Sequence, residues 1–137
     1  MNSQELKTLF HCTYSANYHL VMVTKYRKRC ITPEMLIRLQ EIAARILTTW
    51  EGELIEFNGE TDHVHLLVSI PPKVAPSSLV NNLKTVTARL IRKEFSEHLA
   101  AIYYKPVFWS RSYCIITCGG APLSVIKQYI EQQGKDG

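Results

Sequence analysis

The sequence predicts an α+β sandwich, an antiparallel sheet covered on one face by two helices. Three observations carry this. Apolar, β-branched runs and amphipathic runs alternate in the order strand, helix, hairpin, helix, strand, which is the ferredoxin-like order. Each of the two long amphipathic runs holds one continuous apolar stripe. The chain has 137 residues, 46% of them hydrophobic, enough for a single domain with one core. A further helix is expected after the last strand.

Residues 1–10 are polar apart from Leu6, Leu9 and Phe10, and read as a frayed start. Residues 18–24 form an apolar first strand. Thr32 and Pro33 open a helix as cap and first residue. Met35, Leu36, Leu39, Ile42, Ala43, Ile46, Leu47 and Trp50 then recur at helical spacing, and we read this helix as core without chemistry. Glu51-Gly52 ends it, and residues 54–58 make a second strand that turns at 59–62 into a third. Pro71-Pro72 stops the third strand, and a second helix runs from Pro76 to about Phe95. Leu79, Val80, Leu83, Val86, Leu90 and Ile91 supply its buried face, and Lys84, Arg89, Arg92 and Lys93 add cations. An irregular stretch follows, and residues 113–117 are the fourth strand. Gly119-Gly120-Ala121-Pro122 then gives a hinge into a last helix over 123–133.

The third strand carries the first chemical signal. In Asp62-His63-Val64-His65-Leu66, side chains alternate faces, so both imidazoles point the same way, roughly 7 Å apart along the chain. Val64, Leu66 and Val68 face the other side and are expected to be buried. Two histidines so placed can share a metal ion, although half-exposed strands carry polar pairs for no such reason.

The charges give a second signal. Lys plus Arg number 16 against 12 for Asp plus Glu, a net +4 that permits a polyanionic partner without requiring one. Lys25-Tyr26-Arg27-Lys28-Arg29 concentrates four of the cations around one aromatic. It reads either as a solvated loop or as a phosphate-contacting loop with Tyr26 able to stack on a base. The basic face of the second helix carries the same two readings. Tyr103-Tyr104-Lys105 and Phe108-Trp109-Ser110-Arg111 read as a stacking surface or as an apolar lid over the sheet edge.

Cys12, Cys30, Cys114 and Cys118 form no C-x-x-C pair, and no histidine stands at zinc-finger spacing from them, so a structural zinc site is rejected. Free thiols in a reducing cytoplasm are expected, without a secretory signal or a membrane span. No G-x-x-x-x-G-K-[ST] motif is present.

Taken together, Asp62-His63-Val64-His65 resembles the signature of HUH endonucleases. Gly119-Gly120-Ala121-Pro122 followed by Lys127-Gln128-Tyr129-Ile130-Glu131 and Gln133 looks like the tyrosine helix of the single-tyrosine transposases of the insertion-sequence 200/605 group. The resemblance implies bacterial or archaeal, nucleoid-associated enzymes that cleave and rejoin single-stranded DNA at hairpin-bearing element ends. It implies Tyr129 as nucleophile, forming a 5′-phosphotyrosine. It implies His63, His65 and Gln133 as ligands of Mg2+ or Mn2+. It also implies a homodimer whose tyrosine helix docks in cis or in trans. Lys25, Tyr26, Arg27, Lys28, Arg29, Lys84, Arg89 and Arg92 are the expected DNA contacts. A host-domesticated relative that processes repeated hairpin DNA would need the same catalytic residues. An idle nucleic-acid-binding module would leave their joint occurrence without a reason.

Overall fold

The computed structural model describes residues 16–118 and 123–132. Its elements are β1 (Ala16–Thr24), a single 3-10 turn (Lys25–Arg27), α1 (Pro33–Thr49), β2 (Glu53–Gly59), β3 (His63–Ile70), α2 (Pro76–Glu94), the short α3 (Ser96–Ala100), β4 (Trp109–Thr117) and α4 (Leu123–Gln132). The strands form one sheet in the order β2-β3-β1-β4, and each neighbouring pair is antiparallel. The ferredoxin-like α+β expectation therefore holds.

Local chemistry sets the element ends. The Thr32 hydroxyl accepts the Met35 amide at 3.2 Å, and Pro33 opens α1 with no donor to lose. Glu51 takes a positive φ of 62° to turn α1 into β2. Gly52 follows because a Cβ there would sit 2.6 Å from the Ser69 carbonyl oxygen across the strand pair.

One face of the sheet packs on α1 and α2. Leu20 and Met22 of β1 and Val64, Leu66, Val68 and Ile70 of β3 meet Met35, Leu39, Ile42 and Leu47 of α1 and Leu79, Leu83 and Ile91 of α2. The two helices are tied to each other by Arg38, whose guanidinium donates to both carboxylate oxygens of Glu94 at 2.7 and 3.1 Å. Trp50 at the end of α1 donates its indole N–H to Asn82 of α2 at 2.9 Å.

Two elements differ from the sequence reading. The stretch expected to be irregular contains α3, whose Leu99 is buried. β4 starts at Trp109, ahead of the expected residue 113, because Phe108 and Trp109 enter the core and pair edge-to-face with ring centroids 4.6 Å apart. The buried Trp109 N–H finds its acceptor in the Thr87 hydroxyl at 2.9 Å. Of the two readings left open for these aromatics, the apolar one describes Phe108 and Trp109. Tyr103 is also buried, whereas Tyr104 is almost fully exposed.

Candidate active site and nucleic-acid surface

β3 alternates half-buried and buried along its length, with His63, His65, Leu67 and Ser69 on the side away from α1 and α2. Register places His63 beside Val23 and His65 beside Val21 of β1. Val21 in turn pairs with Cys114 of β4. This second sheet face is covered by α4. Val21 and Val23 are fully buried there, with Cys114, Ile116, Tyr129 and Ile130 packed against them. The histidine pair and the tyrosine helix thus share one face of the sheet within one chain.

His63 is held at one ring nitrogen by a carboxylate that is itself paired. Its Nδ1 lies 2.8 Å from Asp62 Oδ1, while Asp62 Oδ2 accepts from Arg27 Nε at 2.9 Å. Burial alone would raise the Asp62 pKa, but the bonds from His63 and Arg27 outweigh it and hold the carboxyl below its usual range. An ionised carboxylate only accepts, so His63 presents an N–H at Nδ1 and directs Nε2 away from Asp62. Carboxylate-supported imidazoles are the common form of metal-ligating histidine.

His65 has a partner that sequence reasoning missed. Its Nε2 lies 2.9 Å from Nδ1 of His19, and the two rings stack with centroids 5.1 Å apart. Burial, and then the neighbouring His19, push the His65 pKa down, so its ring is neutral at physiological pH. The residue types suit a divalent cation: two imidazoles on one sheet face, with His19 beside His65. Glu60, Asp62 and His63 also bring ligand atoms within 4.8 Å of one another. Both Asp62 oxygens are already engaged, however, so that cluster reads as His63 with its supports. Gln133, the third expected ligand, lies outside the described residues, as do Gly119 and Gly120.

Tyr129 occupies the opposite side of this face. Its hydroxyl is buried, with the Ser112 side chain and Cys114 of β4 beside it. Burial raises its pKa, against a smaller lowering by the Ser112 hydroxyl. Since β1 lies between β3 and β4, Cα atoms in the His65 row and the Cys114 row are about 10 Å apart. The Tyr129 hydroxyl thus lies over the β4 side, away from the two imidazoles.

The basic loop is tightly built. Tyr26 and Arg27 both take left-handed backbone, with φ of 57° and 53°. Thr24 Oγ1 donates to the Lys28 carbonyl at 2.7 Å, the Lys25 amide to the Phe108 carbonyl at 2.8 Å, and the Tyr103 hydroxyl to the Lys25 carbonyl at 2.5 Å. Lys28 and Arg29 are exposed, as is Tyr26. A cleft of about 410 Å³ runs between this loop and the 102–107 segment, lined by Lys25, Tyr26, Lys28, Tyr104, Lys105 and Arg111 among others. Two expected contacts are turned inward. Arg27 bonds Asp62 and the Glu131 carbonyl. Lys84 donates to the Arg111 carbonyl at 2.8 Å and lies over the Tyr113 ring. Arg89 is exposed and Arg92 half-buried, both in the helix layer on the face opposite the histidines.

The sequence model of the family described as "Transposase IS200 like" matches residues 12–133. The chain belongs to this transposase family. It is 29% identical over 127 residues to the transposase for insertion sequence element IS200 of Salmonella typhimurium, covering 93% of this chain and 82% of the relative. It is 32% identical over 120 residues to the ISDra2 transposase TnpA of Deinococcus radiodurans, covering 88% and 85%. A Deinococcus radiodurans chain of known crystal structure, described as a transposase, superposes with a TM-score of 0.78 at 32% identity over 88% of this chain and 92% of that one. A REP-associated tyrosine transposase bound to a REP hairpin shares the fold, with a TM-score of 0.52 at 7% identity, over 87% of this chain and 69% of that one. Among the described residues of this IS200-like transposase, no helix is long and apolar enough to cross a membrane.

Proposed function

We propose that this transposase cleaves and rejoins single-stranded DNA at the ends of its own insertion sequence, with Tyr129 as nucleophile. The supporting observation is the common sheet face. His63 and His65 lie on it, and α4 brings Tyr129 onto it from the same chain. His63 Nε2 and His65, together with Gln133, would hold Mg2+ or Mn2+, and the ion would neutralise charge on the non-bridging phosphate oxygens. Asp62 keeps the His63 proton on Nδ1. The Tyr129 oxygen gives up its proton and bonds to phosphorus as the P–O3′ bond breaks; O3′ takes up a proton to leave as a free 3′-hydroxyl, and the 5′ phosphate remains on the tyrosine oxygen. That ester preserves the phosphodiester energy, so the reverse attack by a 3′-hydroxyl rejoins a strand without a nucleotide cofactor.

The Tyr129 hydroxyl lies by β4 and the imidazoles on β3, so attack beside an ion held by the histidines calls for a shift of α4 from this seat. A homodimer in which the helix docks on the neighbouring sheet is one way to supply the shift. Lys25, Tyr26 and Lys28, which line the 410 Å³ cleft, and the exposed Arg29 next to them are the proposed contacts for hairpin-bearing single strands, with Arg89 and Arg92 available on the helix layer. The named relatives are transposases of insertion sequences, which favours the mobile-element job over a host-domesticated one.

The experiment is incubation with single strands from either side of the gene, with Mn2+ or with excess chelator. Cleavage that needs the ion and stops in the His63→Ala, His65→Ala double variant supports the reading. Full cleavage in chelator would refute the metal assignment.

A further inference from the structure

Arg27 stands apart from the cations around it. Lys28 and Arg29 project into solvent, whereas the Arg27 side chain is only 20% exposed and its Asp62 partner 12%. Its guanidinium is used in two directions. Nε donates to Asp62 Oδ2 at 2.9 Å, and a terminal nitrogen donates to the Glu131 carbonyl oxygen at 2.6 Å. Asp62 passes the first contact on, because its other oxygen holds His63 Nδ1. Glu131 lies in the last described turn of α4, toward the end of the helix whose dipole favours a cation.

The loop is shaped for this. Left-handed backbone at two successive non-glycine residues, Tyr26 and Arg27, carries a steric cost, and it persists because Thr24, Phe108 and Tyr103 fix the turn from three sides. Asp62 is fixed as well, its carbonyl accepting the Thr24 amide at 3.0 Å. A planar fork with several donors suits such a span better than a point charge.

We infer that Arg27 is a positioning residue that joins the two halves of the site, orienting the His63 ring through Asp62 and seating the C-terminal end of the tyrosine helix through the Glu131 carbonyl. This rests on the reading of His63 as a metal ligand given above. Arg27 touches neither DNA phosphate nor metal in this role.

The test uses the whole protein without DNA, and reads Mn2+ affinity by calorimetry and α4 protection by hydrogen exchange. Arg27→Ala is expected to weaken Mn2+ binding roughly 10-fold, as loss of a ligand's outer support does, and to speed exchange across 123–132. Asp62→Ala should weaken Mn2+ binding as much. Asp62→Asn, which keeps an oxygen for His63 Nδ1–H, should restore most of it. If Arg27→Ala is unfolded at the assay temperature, Arg27→Lys reads the same loss of α4 protection because it lacks the fork. The inference is overturned if the folded Arg27 variant lowers only the melting temperature. It is also overturned if Asp62→Asn is as damaging as Asp62→Ala, since Asp62 would then be a ligand itself. His65→Ala is the control: if it leaves Mn2+ binding intact, the metal reading fails, and α4 exchange still decides the seat made by Arg27.

Discussion

His65 Nε2 lies 2.9 Å from His19 Nδ1, so the two imidazoles of neighbouring strands share a single proton position. Burial and then His19 depress the His65 pKa below its ordinary value. The folded state disfavours the charged ring, so acidification from about pH 6.5 downward costs stability as the unfolded chain takes up the proton. Replacing His19 with Ala should move the His65 titration upward and make Mn2+ binding fail at a higher pH. Ring-nitrogen NMR titration checks this. An unmoved His65 would mean that burial alone sets its value.

The proposed nucleophile is expected to matter for chemistry and little for the resting structure. The Tyr129 hydroxyl is buried beside Ser112 and Cys114 of β4. Tyr129→Phe removes one hydroxyl and keeps the ring packing, so the melting temperature should change by less than about 3 °C. The same variant should lose all covalent chemistry. A larger fall in melting temperature would show that the hydroxyl is a structural group.

A buried hydrogen bond anchors the start of β4. Thr87→Val keeps the shape of the side chain but leaves the Trp109 indole N–H without its acceptor. A loss of about 1–3 kcal/mol is expected in urea denaturation, with DNA affinity unchanged at temperatures where the variant is folded. An equal drop in DNA affinity would place Trp109 in the DNA surface after all.

Salt titration separates the cations of the loop. Each phosphate contact contributes a slope of roughly −0.7 to the salt dependence of single-strand affinity. Lys28→Ala should reduce the slope by about that amount. Arg27→Ala should leave it nearly unchanged, because its guanidinium is spent on Asp62 and Glu131. Equal effects would return Arg27 to the phosphate-contacting group.

The strand and helix order was legible in the chain because hydrophobic period reports directly on which face of each element is buried. Val64, Leu66 and Val68 are buried and His63 and His65 are not, as alternation requires. His19 was not legible as a site residue. A histidine in an apolar strand carries no signal of its own, and only the β1–β3 register brings it to His65. Phe108 and Trp109 read two ways because an aromatic beside a cation looks alike in a core and on a stacking surface. Thr87, the partner that decides for the core, is a polar residue inside an apolar helix stripe. Arg27 looked like one cation in a run of four, and its inward direction comes from a left-handed backbone that no local propensity announces. That the Tyr129 hydroxyl sits on the β4 side follows from how α4 packs, which depends on contacts remote in sequence.

Attack of Tyr129 on DNA would leave a nucleotide on that residue. The direct measurement is mass spectrometry of the protein after reaction with single strands flanking the gene and Mn2+, with digestion to locate any nucleotide left on the chain. The expected result is a 5′-phosphoryl oligonucleotide on the peptide containing Tyr129, absent in Tyr129→Phe. A covalent nucleotide on any other residue, or an adduct that survives Tyr129→Phe, would contradict it.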